Sequence, residues 1–452
     1  MPREGGVRVK TEKSLASRRN WEPGKDLRLI SDKCIKCNIC TAYCPVAKVT
    51  DRFPGPKFAG PESQRLRYLP EPVLDPSVDL CINCKTCNQV CPSGVRASDL
   101  NVLAKANYVA ERGQNLRNWL LGHAELLGRL GSTAAPLANP VLRNRLVKGV
   151  MEQTLAISRR RTFPAYTHQT FARWFARRKR VRDGSHTAGA RKVAYFTGCF
   201  ANYNDPDLGR AVVEVLEHNG CEVVAPPQVC CGLPLIANGE MAAARKNAEF
   251  NIKSLGEFVD AGYDIVFSST SCGLTVRSDY RELLGLEAAE KIAARAYDIS
   301  EYLLMLHEEG GLDLGFPRQP PLRLAYHAPC HLKAHGIGYP ALKLLRLIPG
   351  VRVDDLGKVC CGIGGTYGFK KEKYEISMDI GKELFDAIRA AEVPLVASDC
   401  ETCRMQIEHG TPEVRAVHPV KLLWEAYRQA RAYEQGQDAW AGQDARQARA
   451  TG

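Results

Sequence analysis

The sequence predicts a multidomain chain of mixed α+β and α/β class: a small helical N-terminal domain, a basic helical connector, and two repeated α/β domains with parallel strands. Three observations predict it. Two N-terminal cysteine runs share one spacing, a second cysteine set recurs at a near-constant offset through the C-terminal half, and strand-like and helix-like segments alternate around that second set.

The N-terminal domain is read from CIKCNICTAYCP (Cys34, Cys37, Cys40, Cys44) and CINCKTCNQVCP (Cys81, Cys84, Cys87, Cys91), in which every cysteine is offset by 47. Both fit C-x2-C-x2-C-x3-C-P, the ferredoxin pattern in which three cysteines wrap one [4Fe–4S] cluster and the fourth ligates the other. Cys34, Cys37, Cys40 and Cys91 are therefore expected to hold one cluster, and Cys81, Cys84, Cys87 and Cys44 the second. Zinc also takes Cys-x2-Cys pairs, but it leaves the third cysteine and the Cys-Pro unexplained. Such a domain has a thin core, so ligation should supply much of its folding free energy.

The connector is marked by charge. Between Arg112 and Arg182 there are fifteen Lys/Arg and two acids, Glu125 and Glu152, so the basic balance of the whole chain (+12) belongs to this segment. Within it, Leu116, Trp119, Leu120, Leu127 and Leu130 recur at helical spacing, and Phe171 to Arg182 sets Trp174 and Phe175 among basic residues. An amphipathic basic helix fits an anionic membrane surface, packing on its own protein, or nucleic acid.

In the C-terminal half, Cys199 recurs as Cys330, Cys230–Cys231 as Cys360–Cys361, and Cys272 as Cys403, at offsets of 130 or 131. KVAYFTGC, CEVVAP and YDIVFSSTSCG read as strands ending at or leading to cysteines, as do RLAYHAPC, VRVDDL and VPLVASDC; helical stretches such as LGRAVVEVLEHNG and MDIGKELFDAIRAAE lie between them. The alternation predicts parallel sheets with the cysteines at their C-terminal ends. Adjacent cysteines suit an irregular cluster better than one tetrahedral ion, and a cluster is expected in each half. The second half has five thiols, including Cys400; the first has four, because Ser269 occupies the matching position. A first half without metal is the competing reading. Cys221 fits no pattern and reads as a buried thiol. Of His327, His331 and His335 around Cys330, His331 is the best candidate to tune a cluster or pass a proton. The glycines of CGIGGTYG read as backbone close to a cluster, not a phosphate loop.

Boundaries are expected at 1–28 (disordered extension), 29–110 (dicluster ferredoxin domain), 111–190 (connector), 191–318 and 319–430 (the two Cys-Cys-Gly repeats), and 431–452 (disordered tail). The N-terminus has no apolar h-region, and the longest uncharged run, Val223 to Gly239, contains three prolines. Neither export nor a membrane span is expected, so the thiols read as metal ligands in a reducing cytoplasm.

The stretches FPGPKFAGPESQRLR, RRRTFPAYTHQTFARWF, GCFANYNDPDLG, CCGLPLIANG, CCGIGGTYGFKKEKY and DCETCRMQIE resemble the iron–sulfur subunit family of anaerobic sn-glycerol-3-phosphate dehydrogenases, a resemblance that covers roughly Ser31 to Tyr427. The cysteine-rich repeat also resembles that of heterodisulfide reductases and of glycolate and lactate oxidase iron–sulfur subunits. The first resemblance implies two ferredoxin clusters and two Cys-Cys-Gly domains in a non-catalytic subunit with no catalytic residue of its own. It implies that electrons come from a flavin-containing catalytic subunit and pass to membrane quinone, and that the subunit anchors the complex at the cytoplasmic face. It favours the membrane over nucleic acid for the basic segment. Service to a glycolate or lactate oxidase, or a stand-alone disulfide or quinone reductase, is the alternative. Residues 1 to about 27 and the tail extend beyond the resemblance and carry none of the ligands.

Overall fold

The computed structural model describes residues 29–67, 75–178, 190–316, 321–357 and 360–434. The expected extension 1–28, and residues 435–452 of the expected tail, lie outside the described residues. The final helix continues to Glu434, because Trp424 and Tyr427 anchor it: Trp424 Nε1 donates to Glu214 at 2.8 Å and Tyr427 Oη to the Asp313 carbonyl at 2.7 Å.

After the two cysteine loops, α1 (Ala97–Arg112) closes the N-terminal domain. The connector forms α2 (Leu116–Gly122), α3 (Ala124–Thr133), α4 (Ala135–Arg143), α5 (Arg145–Leu155) and α6 (Phe171–Arg177). Side-chain caps start three of them: Asn115 accepts from Asn118 N–H, Asn144 from Leu146 and Val147 N–H, and Thr170 from Arg173 N–H.

The first repeat runs β1 (Lys192–Phe196), α7 (Gly198–Tyr203), α8 (Pro206–His218), β2 (Glu222–Val224), α9 (Met241–Asp260), β3 (Asp264–Phe267), α10 (Thr270–Leu274), β4 (Ala296–Asp298) and α11 (Ile299–Glu308). The second runs β5 (Leu322–Tyr326), α12 (Cys330–His335), α13 (Pro340–Leu345), β6 (Val351–Asp355), α14 (Tyr374–Ala391), β7 (Leu395–Ala397), α15 (Glu401–Gly410), β8 (Arg415–Val417) and α16 (Pro419–Glu434). Each repeat builds a four-stranded parallel sheet, ordered β2-β1-β3-β4 and β6-β5-β7-β8.

Both faces of each sheet are buried, as parallel sheets require. Val193, Tyr195 and Val266 face one core while Ala194, Phe196, Ile265 and Phe267 face another. The second sheet's Leu324, Tyr326 and Ala397 enter the same core as Val193, so the two repeats share one apolar interior. They also exchange their last helices. Helix α11 packs on α13 of the second repeat, and α16 packs on α8 of the first.

Candidate functional site

The two N-terminal runs fold into loops of one shape. Lys36 and Asn38 have φ of 61° and 66°, and their counterparts Asn83 and Lys85 have 53° and 61°. Alternating left-handed residues turn successive N–H groups toward the inside of a loop, which makes a concave seat for an anion. Cys34, Cys37, Cys40 and Cys91 surround one small cavity, and Cys44, Cys81, Cys84 and Cys87 a second; Cys87 also touches the first. The last cysteine of each run thus stands with the first three of the other. Val95 N–H donates to Cys91 Sγ at 3.2 Å. Cys37 is exposed, whereas Cys44, Cys84 and Cys87 are buried. Burial, then the neighbouring Cys84, pushes the Cys44 thiol up to about 12.

All nine cysteines of the repeated set (Cys199, Cys230, Cys231, Cys272, Cys330, Cys360, Cys361, Cys400 and Cys403) line a single cavity of about 300 Å³. The expectation that strands end at cysteines is corrected. Strands β1, β3 and β5 stop at Phe196, Phe267 and Tyr326, and Cys199, Cys272 and Cys330 lie in the short helices α7, α10 and α12 that follow. Gly198, with φ of 71°, and Pro329 break the strand pattern after β1 and β5. The turn after Cys361 needs glycine. Gly362 has φ of 86°, and a Cβ on it would meet the Ser377 carbonyl oxygen at 2.1 Å.

One thiol in each half is held low. Cys230 receives hydrogen bonds from Cys199 and Cys231; Cys361 receives them from Cys360 and Cys403, with His327 contributing less. Cys361 and Cys403 sulfurs are 3.2 Å apart. Their neighbours are pushed up, Cys231, Cys360 and Cys403 by these same contacts before burial, and Cys330 by burial and then Cys84. Buried thiols this close cannot all ionise unless a cation neutralises them. A cysteine-only donor set of this density fits an iron–sulfur group, with the fuller set in the second half.

Ser269, in place of a fifth thiol, caps α10 by accepting from Cys272 N–H at 3.4 Å and donates to Glu401 at 3.1 Å across the cavity. Cys221 lies in the apolar core away from the cavity, its thiol raised to about 11 by burial.

The histidines sort differently from the expectation that favoured His331. That ring is already engaged: Nε2 donates to the Asn83 carbonyl at 3.0 Å and Nδ1 accepts from Ser271 at 2.9 Å. Burial lowers its pKa to about 4, so it is neutral. His335 Nε2 donates to the Thr270 carbonyl at 2.9 Å. His327 is fully buried, and neither of its ring nitrogens has a nitrogen or oxygen partner.

Sequence reasoning missed the connector's part in the cavity. Leu121, Leu127 and Phe163 form part of its wall. Glu125 accepts from Cys230 N–H at 2.7 Å, positioning the first Cys-Cys pair. Arg161 is buried, donating to the Gly368 carbonyl at 2.6 Å and Ser377 Oγ at 2.7 Å. The one available signal was that Glu125 is among only two acids in a basic segment.

Comparison with known protein families matches a 4Fe-4S dicluster domain to residues 30–95 and a cysteine-rich domain to residues 193–277 and 324–408. The chain is 40% identical over 407 residues, 87% of its length and 98% of the relative's, to one of the subunits of anaerobic glycerol-3-phosphate dehydrogenase of Escherichia coli (strain K12). It is 28% identical over 421 residues (87% and 72%) to one of the subunits of fumarate reductase (CoM/CoB) of Methanothermobacter marburgensis. It is 25% identical over 423 residues (87% and 93%) to a probable glycolate oxidase iron-sulfur subunit of Bacillus subtilis (strain 168).

Proposed function

This chain belongs to the iron–sulfur subunit family of anaerobic glycerol-3-phosphate dehydrogenases, and from that membership we propose that it takes electrons from a flavin-containing catalytic subunit oxidising glycerol 3-phosphate and delivers them to membrane quinone. It is an iron–sulfur electron-transfer subunit and not a catalytic enzyme on its own. When bound, iron–sulfur clusters supply one-electron transfer. In this reading Cys34, Cys37, Cys40 and Cys91 hold one cluster; Cys44, Cys81, Cys84 and Cys87 hold the next; and the nine thiols of the repeated set hold the centres of the large cavity.

One observation carries the reading. Cys84 belongs to the second small cavity and also lines the large one, so the N-terminal domain and the cysteine-rich repeats form one continuous series of thiols. Exposed Cys37 gives that series its surface end, and exposed Leu29, Ile35, Ile39 and Tyr43 around it suit docking of the donor subunit. The apolar wall from the connector suits a quinone ring at the other end.

Attachment to the membrane is assigned to α4 and α5. Leu137, Val141, Leu146 and Val150 are 75%, 50%, 81% and 59% exposed, with exposed Arg143 and Arg145 beside them. Apolar side chains edged by arginine suit an anionic bilayer surface. Among the described residues no helix is long and apolar enough to cross a membrane, so the contact is peripheral in this reading.

The test is to purify the full chain without oxygen and count iron and sulfide, with EPR. The expected content is about twelve to sixteen irons per chain. A content of about eight, the load of the two N-terminal sites alone, would leave the nine-thiol cavity without metal and overturn the reading.

A further inference from the structure

The duplication allows each residue near the large cavity to be compared with its counterpart. His327 stands three residues before Cys330, and Phe196 stands three residues before Cys199. Phe196 packs on Phe267, ring centroids 5.1 Å apart, in an apolar core. At the matching place the second half has an imidazole. Its backbone is fixed by the sheet, His327 N–H donating to the Ala397 carbonyl at 2.9 Å.

The ring is completely buried and its nitrogens lack any nitrogen or oxygen partner. Burying an unpaired imidazole is unfavourable, so the position makes sense only if something polar faces it. A ring nitrogen of His327 and the sulfurs of Cys361 and Cys403 all lie within 4.8 Å of one another. His331 and His335, by contrast, already have oxygen partners.

We propose that His327 donates a ring N–H hydrogen bond to the Cys361 sulfur and so raises the reduction potential of the metal centre of the second half. The inference rests on the reading that the repeated thiols hold iron–sulfur centres. Reduction adds one electron to such a centre, with no bond made or broken and the proton remaining on the ring. The added negative charge falls partly on the sulfurs, and an N–H donor stabilises the reduced state more than the oxidised one. Phe196 offers the first half no such donor. The second half is also the one whose Cys330 and Cys360 adjoin Cys84.

The test is EPR-monitored redox titration of the full chain, purified anaerobically, as wild type, His327→Phe and His327→Gln. A Cys361→Ser chain identifies the second-half signal as the one it loses. Expected is an unchanged iron and sulfide content in both His327 variants. That one signal shifts to lower potential in His327→Phe, while His327→Gln, which keeps an N–H donor, recovers part of the shift. An unmoved potential in His327→Phe overturns the proposal. So does loss of the centre's iron in both variants, which would make the ring a ligand or a packing element. If wild-type chain itself holds only about eight irons, the underlying reading has failed, and the inference falls with it.

Discussion

Asp79 is surrounded by Lys105, Lys370 and Lys373 where the N-terminal domain meets the second repeat. Burial, then the like charge of Lys373, lowers the Lys370 pKa to about 6; burial also lowers Lys373, to about 8, although Asp79 opposes the fall. An unfolded lysine titrates near 10.4. Between pH 6 and that value the unfolded chain binds more protons at Lys370 than the folded one, so this residue makes stability rise with pH. Thermal unfolding of Lys370→Met should show a shallower rise from about pH 6 to 9 than wild type. Equal slopes would show that Lys370 is protonated in the folded protein. Loss of its 3.0 Å bond to Asn238 Oδ1 affects the level of the curve, not the slope. At this scale the candidate thiols were legible because their spacing is a direct imprint of chain wrapping. His327 was not. Three histidines flank Cys330 in the sequence, and only packing shows which has its nitrogens committed elsewhere.

Elements with strong periodicity were legible. The helix read from LGRAVVEVLEHNG is α8, with Gly220 at φ of 75° just beyond it. Strands β4 and β8 were not read at all. Each has three residues, Ala-Tyr-Asp and Arg-Ala-Val, too short for a pattern of alternation, and each exists because an outer edge of β3 or β7 must be paired. The capping box of Asp298 and Glu301 at the start of α11 was the local clue to where β4 ends. Helix α3 packs Gly128 against Tyr203 and Gly131 against Tyr166 while Leu126 and Leu130 stay exposed, and α4 and α5 expose Leu137, Val141, Leu146 and Val150. Leu146→Glu with Val150→Glu should therefore leave thermal stability within about 0.5 kcal/mol of wild type. Co-sedimentation with anionic phospholipid vesicles should fall at least tenfold. Undiminished sedimentation would place the membrane contact elsewhere.

At the scale of the whole molecule, the repeat was legible as two domains in series, because cysteine offsets report duplication but not packing. The structure instead gives the repeats a common apolar interior and crosses their terminal helices. Val420, Leu423, Ala426 and Tyr427 of α16 are buried in that interior. A chain truncated after His418 loses side chains worth roughly 2 kcal/mol each for the larger ones. Hydrogen exchange should then show lost protection in α8 and β1, far away in sequence. Loss confined to β7 and β8 would mean that the first repeat stands alone.

That crossing has a consequence for how the protein is made. A growing polypeptide completes Cys199 through Cys272 long before the segment that seals their supporting layer has been synthesised. The early half must wait, unsealed, for the last stretch of translation. A premature stop codon just upstream of Pro419 should thus damage the first repeat, made well over a hundred residues earlier, as well as the newest part of the product.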